Sequence, residues 1–464
     1  MKTIETDYLV VGAGATGMAF TDTLVSETES TVVVVDRGHQ PGGHWLTAYP
    51  FVRLHQPSAF YGVNSRKLGS DTIDVVGWNE GFYELASGHE VLAYFEKVMH
   101  EQFLPTGRVS YFPMSEYHGD GRFSTLVGEQ YTVTARKRIV DTTFLRTVVP
   151  SMRPPNYAVA PEVDCVPPND LPACAVGRDR YVIVGGGKTG MDTCSWLLRH
   201  GVSPDKLTWI MPRDAWLLDR TTVQPGPLFA QSGAAAISTR ITIASEATSI
   251  EDLFERLDVA GSLLRLDPAI RPRMYRCAIV SPAELDQLRR INDVVRMGHV
   301  RRIDADKIVL DDGEVPTSPS TLHIDCTADG LERRSATSVF DAGKITLQSV
   351  RGCQPVFSAA FIAHVETTGR DEDAKNELCT PIPHPDADLD WLRVTIADNR
   401  NQLRWLEDPE LASWLNASRL DLISELGLRL PDDPRLRERM LGVIRTQLAA
   451  ATENLEKLLA GADA

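Results

Sequence analysis

Two glycine-rich loops of one grammar constrain this chain more than any other feature: Gly12–Ala13–Gly14–Ala15–Thr16–Gly17 and Gly185–Gly186–Gly187–Lys188–Thr189–Gly190. Each follows a short apolar run, Tyr8–Val11 or Tyr181–Val184, and opens onto a helical pattern. Each therefore reads as strand, tight turn, helix. In such a turn the first Gly makes the bend and the second lets the backbone approach a pyrophosphate. The third lets helix pack on strand. Free N–H groups and the positive helix end then face the negative charge. One loop alone is a weak signal. Two of them, about 170 residues apart, imply an α/β chain with two Rossmann-like domains, holding two dinucleotides that exchange electrons.

The chain has 464 residues, room for about three domains. The expected organisation is a first nucleotide domain over 1–150 and a second over 178–320, with a helical insertion at about 221–295. A closing part of the first domain follows over 321–387, then a helical C-terminal region over 388–464. The pattern predicts a helix over 79–104, strands at Tyr131–Ala135 and Arg138–Asp141, and helices at Ser249–Leu257 and Ala283–Val295. The proline-crowded stretch Val149–Asp179 reads as an extended crossing.

A net charge of −15 argues against nucleic acid or an anionic membrane as partner. No apolar run approaches the roughly eighteen residues of a membrane span, and Met1–Asp7 leads straight into the first strand. A cytoplasmic protein without a signal peptide is expected. The seven cysteines are scattered with no Cys-x-x-Cys and none before Cys165, which argues against a thiol–disulfide relay. The histidines show no ligand spacing, so no metal is expected. The late tryptophans Trp391, Trp405 and Trp414 hint at a homodimer contact.

Asp36 ends the β-branched run Thr31–Val35, 24 positions after Gly12, the spacing at which a carboxylate accepts from a ribose hydroxyl. After the second loop, Leu207–Met211 ends in Pro212–Arg213 rather than in an acid. An Arg there suits the 2′-phosphate of NADPH, with Arg220 as a second candidate clamp. Lys188 has two readings, a phosphate contact or a solvated charge.

At "VVVVDRGHQPGGHW" the sequence resembles the acid-…-Gly-Gly-x-Trp signature of flavin-containing monooxygenases and their Baeyer–Villiger and N-hydroxylating relatives. The resemblance implies that Gly12, Gly14, Ala15, Thr16 and Gly17 bind FAD, with Asp36, Arg37, Gly43, His44 and Trp45 along the cofactor. Gly42 and Gly43 fit backbone lying under a flat ring, where a Cβ would intrude. In "RLHQPSAF", Gln56 stands where the family carries an Asn near the flavin, with Arg53 and His55 as further catalytic candidates. The loop "VIVGGGKTGMD" is similar to the family's NADPH loop, which assigns Gly185, Gly187, Lys188, Thr189, Gly190 and Asp192 to that coenzyme, Thr189 replacing a Ser. "HIDCTADGL" looks like the family's Ala-Thr-Gly turn with one residue extra, bringing Thr327 and Ala328 to a cofactor. "CQPVFSAAFIAHVE" looks like the helix that closes the flavin domain.

The function this implies is oxygen insertion. Hydride passes from NADPH to FAD, O2 adds as a C4a-(hydro)peroxyflavin, and one oxygen atom goes to N, S or a carbonyl of a small organic substrate. One departure stands against it. The family's Phe-x-Gly-x-x-x-His element is missing from "NYAVAPEVDCVPPNDLPA". Two alternatives therefore stay open, an NAD(P)H-dependent flavoprotein reductase or oxidase and a non-catalytic redox sensor. Substrate-pocket residues are expected from the insertion and the C-terminal helices.

Overall fold

The computed structural model describes residues 2–328 and 330–462, the side chains of 427 and 428 excepted. Four consecutive valines form the buried strand Val32–Val35. β-Branched side chains fit a pleated surface covered on both faces. That strand pairs in parallel with Lys2–Val11, from Tyr8 opposite Val32 to Val11 opposite Val35. On its other side Lys2–Val11 pairs in parallel with the late strand Gln130–Asp141. Val109–Phe112 extends the sheet beyond Val32–Val35, and Lys344–Thr346 extends it beyond Gln130–Asp141.

The second sheet is wholly parallel, in the order Cys165–Val166, Thr321–Asp325, Arg180–Val184, Leu207–Ile210, Asp293–Val295. In both sheets the strand that feeds a glycine loop has its successor on one side and a distant strand on the other. This is the topological switch point, where an open α/β sheet leaves a crevice at its carboxyl edge.

The helix leaving the first loop, Ala15–Glu27, packs on the almost entirely buried helix Pro355–Thr367. A third body sits against the second sheet: a small sheet of Leu263–Leu264, Ala215–Asp219 and Met274–Val280, with the helix Ala230–Glu246. The C-terminal helix Pro434–Ala462 packs on Ala230–Glu246. Its Asn454 donates to the carbonyls of Ala244 and Ala247 at that helix's end, at 3.0 and 2.9 Å. Among the described residues no helix is long and apolar enough to cross a membrane.

Four local expectations are corrected. The helix expected from 79 begins at Gly88, where Ser87 and Glu90 form a reciprocal capping box; before it Gly77 and Gly81 take positive φ. Ala283–Val295 divides into the helix Pro282–Leu288 and the strand Asp293–Val295. Cys165–Val166, placed in the extended crossing, is an edge strand of the second sheet. Thr321–Asp325, assigned to the closing part of the first domain, also belongs to the second sheet. The chain returns only beyond the bridge between Val148 and Gly330, and Lys344–Thr346 then joins the first sheet. Parallel partners far apart in sequence leave no local mark of which sheet a short strand joins.

Candidate active site

The two loops have matching geometry. Gly12 and Gly185 take φ of 109° and 124°, open to glycine and strained for other residues. A Cβ on Gly17 or Gly190 would lie 2.1 Å from the carbonyl oxygen of Gly12 or Gly185. Those two glycines let helix sit on strand. Gly14 and Gly187 differ, with ordinary φ of −71° and −82°. A Cβ on Gly14 meets only the Cα of Gly43 at 3.6 Å, and one on Gly187 meets nothing within 4 Å. No side chain caps either helix, so the first-turn N–H groups of Ala15, Thr16 and Gly17, and of Lys188, Thr189 and Gly190, take no bond from an N-cap side chain. Such a cradle fits a dinucleotide pyrophosphate.

Around the first cradle, Asp36 accepts from Ala13 N–H at 2.5 Å and from Gly38 N–H at 2.6 Å. Its carboxylate is therefore fixed at the end of Val32–Val35, beside the loop. Arg37 is exposed. Gly42 and Gly43 need their missing Cβ for a reason internal to the protein. At φ of 140° and 60° their Cβ atoms would meet Leu92 at 2.4 Å and the Gly14 Cα at 2.9 Å. The fold alone therefore accounts for both glycines, whatever lies over them. Trp45 is buried and donates to Tyr61 Oη at 2.7 Å.

Residues that follow each loop meet in the wall of one cavity of about 630 Å³. Its walls include His44, Trp45, Arg53, His55 and Gln56 from the first domain, and Lys188 and Asp192 from the helix after the second loop. Arg53 is held by the Leu85 carbonyl at 2.9 Å. Burial takes His44 down to about 4 and His55 down to about 3, with Lys188 and Arg220 adding to the effect on His55. Both rings are neutral at pH 7. Ile279 N–H donates to His55 Nδ1 at 3.1 Å, so His55 carries its proton on Nε2. Gln354 Nε2 donates to Gln56 Oε1 at 3.3 Å. The Gln354 Oε1 itself is buried with no partner among the described residues, a waiting acceptor at the start of Pro355–Thr367.

At the second cradle, Lys188 is neither solvated nor free for a phosphate. It pairs with Asp192 and, at 3.3 Å, with Glu284, while Tyr49 donates to Asp192 at 2.6 Å. Burial opposes the Lys188 charge, yet Asp192 and Glu284 raise its pKa. Arg213 reaches Asp386 at 2.9 Å, a carboxylate that Arg276 and Arg333 also contact. Thr327 bonds Asp325 at 2.6 Å and, with Ala328, follows the second sheet's strand Thr321–Asp325, which runs beside Arg180–Val184. Arg220 corrects the sequence reading. It is 2 % exposed and bound to Glu284, the His55 carbonyl and Asn79, so it cannot clamp a coenzyme phosphate.

Sequence reasoning missed two features of the cavity. Cys277 and Cys353, 76 residues apart, form a disulfide in its wall, a pairing that the scattered cysteines did not suggest. The link crosses between a bulge in Met274–Val280 and the turn before Pro355–Thr367, so no spacing announces it. The helical wall, from Ala230–Glu246, Asp390–Glu407 and Pro434–Ala462, lies where pocket residues were expected, in the insertion and the C-terminal helices. The second missed feature is Asp398, raised by burial to about 6, with Gly352 N–H and Arg351 pulling the other way. A carboxyl raised in the folded state favours folding while protonated, so stability falls as pH climbs from about 4 to 6. Asp398→Asn is expected to flatten that fall and to gain about 2–3 kcal/mol at pH 8. Urea unfolding at pH 4 and pH 8 checks it; equal pH profiles for variant and parent contradict it.

Residues 10–63 match the family model of an NAD(P)-binding Rossmann-like domain. Over 463 residues the chain is 62 % identical to the uncharacterized protein Rv2000 of Mycobacterium tuberculosis, covering 100 % of this chain and 86 % of the relative. Its Mycobacterium bovis counterpart matches equally well. The chain belongs to this mycobacterial family. Similar solved structures include a flavin-containing monooxygenase from Stenotrophomonas maltophilia, at 16 % identity and a TM-score of 0.45, covering 81 % of this chain and 100 % of that one. An open form of cyclohexanone monooxygenase gives 15 % and 0.48, covering 96 % and 99 %. Likenesses of that size leave the chemistry to be argued from the site.

Proposed function

We propose that the protein is an FAD- and NADPH-dependent monooxygenase that transfers one oxygen atom from O2 to nitrogen, sulfur or a carbonyl of a small organic substrate. One observation carries this reading: two glycine loops of matching geometry stand at separate switch points, and residues that follow each of them line a single cavity. When bound, FAD supplies the two-electron acceptor for NADPH and the reactivity with O2.

The chain's own residues do the positioning. Gly14 with the N–H groups of Ala15–Gly17 would hold the FAD pyrophosphate and Asp36 its ribose. Gly187 with Lys188–Gly190 would hold that of NADPH, and Arg213 its 2′-phosphate. Trp45, locked by Tyr61, walls the chamber and excludes water. Gln56, its oxygen taken by Gln354, keeps its amide N–H groups for a polar atom inside. Neutral His55 offers Nε2–H and cannot deliver a proton as an imidazolium at pH 7.

The test is anaerobic titration with NADPH, followed by isotope-labelled O2 and a panel of amines, thioethers and ketones. Bleaching of the flavin band and label in a product are expected. Colourless protein, or label found only in water, defeats the proposal.

A second reading has its own observation. The Cys277–Cys353 disulfide shares the cavity, which favours a reductase passing electrons to sulfur. Two electrons and two protons would open the S–S bond to two thiols, with NADPH as donor. Thiol counting during the same titration separates the readings, since only the second gains two thiols per chain.

A further inference from the structure

Five cationic side chains line the cavity: Arg53, Lys188, Arg240, Arg276 and Arg351. Four are engaged. Arg53 binds the Leu85 carbonyl, Lys188 binds Asp192 and Glu284, Arg276 binds Asp386 and Arg351 binds Asp421 at 2.8 Å. Arg240 has no hydrogen bond or ion pair with any described residue.

Its place in the fold makes that costly. Arg240 lies on the cavity face of Ala230–Glu246, one turn from Ile237 and Ala244 and beside Ile241. Across from this helix stand Trp391 and Val394 of Asp390–Glu407, and Leu448 of Pro434–Ala462. Burial pulls the guanidinium pKa below its usual range, with Tyr275 the one group pulling the other way. Beyond Tyr275 is Asp398, already committed to Gly352 N–H at 2.8 Å. A guanidinium does not give up its proton at neutral pH. Its partly exposed guanidinium is therefore left at the cavity without a counter-charge, the partner that an anion entering the cavity would supply.

We infer that the substrate is an organic acid with a hydrocarbon body, whose carboxylate pairs with Arg240 while its chain lies along the helical wall. This deepens the monooxygenase reading and rests on it for the word substrate. The binding claim stands on the cavity alone. Planar, two-pronged recognition of a carboxylate is what Arg does and Lys does not.

The experiment is isothermal titration of the purified FAD-loaded protein, saturated with NADP+, using decanoate, decan-1-ol and decylamine. Decanoate is expected to bind at least about tenfold tighter than the alcohol, and the amine not to bind measurably. Arg240→Gln should erase the acid's advantage and Arg240→Lys should keep part of it, each variant first checked for an unchanged melting temperature. Equal affinity for acid and alcohol, no heat from decanoate, or unweakened decanoate binding in Arg240→Gln overturns the inference. If Arg240 instead serves the coenzyme, the same variant weakens NADP+ and spares decanoate, which also overturns it. Failure of the protein to take up FAD strikes the monooxygenase proposal, and decanoate binding is then read on the cofactor-free protein.

Discussion

Arg220→Gln is expected to lose about 3–5 kcal/mol of folding stability while leaving the preference between NADPH and NADH unchanged. The side chain bridges three parts of the molecule. It donates to the His55 carbonyl at 3.1 Å, to Asn79 at 3.2 Å and to Glu284 at 2.9 Å. Removing one partner of a buried pair leaves the other charge stranded, and that is where most of the cost arises. Glu284 reports the same interaction. Burial works to raise its pKa, but Lys188 and Arg220 together bring it down to about 2. A depressed carboxyl contributes stability above its unfolded pKa, near 4.5, and loses it as pH falls toward 2. Without Arg220 the Glu284 pKa rises toward its unfolded value, so the loss of stability between pH 7 and pH 4 should be smaller than in the parent. Urea unfolding at pH 7 and pH 4 measures both effects. A loss under about 1 kcal/mol, or a selective fall in NADPH use, would restore Arg220 to the phosphate-clamp role its sequence position suggested.

The contrast between Arg220 and the glycine loops shows what this sequence makes legible. Backbone geometry that only glycine tolerates is written locally, so both cradles and their flanking strands could be read directly. Asp36 was legible for the same reason: a fixed count of residues separates a βαβ turn from the end of its second strand. Arg220 was not. Its neighbours in space come from residues 55, 79 and 284, and a local reading sees an arginine a few residues past a nucleotide strand. The cavity's working surface shares that limit. Arg240 stands in a helix of weak amphipathic pattern, and its lack of a counter-charge appears only when the C-terminal helices fold over it. Cys277 and Cys353 likewise meet only through tertiary structure, both at positive φ. Gly42 marks the opposite case, a glycine read from the sequence as serving a cofactor and crowded in the fold by Leu92 as well.

Gly14→Ala and Gly17→Ala should fail in different ways, and the difference isolates the cofactor from the fold. Gly14 has φ −71°, a conformation any residue adopts, and its new Cβ would meet only the Gly43 Cα at 3.6 Å. The protein alone has no reason to exclude alanine there. A pyrophosphate lying against that loop does, because the methyl takes the space where backbone N–H groups approach the charge. Gly14→Ala is therefore expected to keep its urea midpoint and to weaken FAD binding by about 10- to 100-fold, the loss of one or two charged hydrogen bonds. Gly17→Ala places a Cβ 2.1 Å from the Gly12 carbonyl oxygen. Helix Ala15–Glu27 must lift from strand Lys2–Val11, at a cost of about 1–3 kcal/mol, whether or not FAD is present. Flavin absorbance after gel filtration and unfolding of the cofactor-free protein read the two outcomes separately. If Gly14→Ala holds FAD as tightly as its parent, the first cradle binds something other than a dinucleotide pyrophosphate.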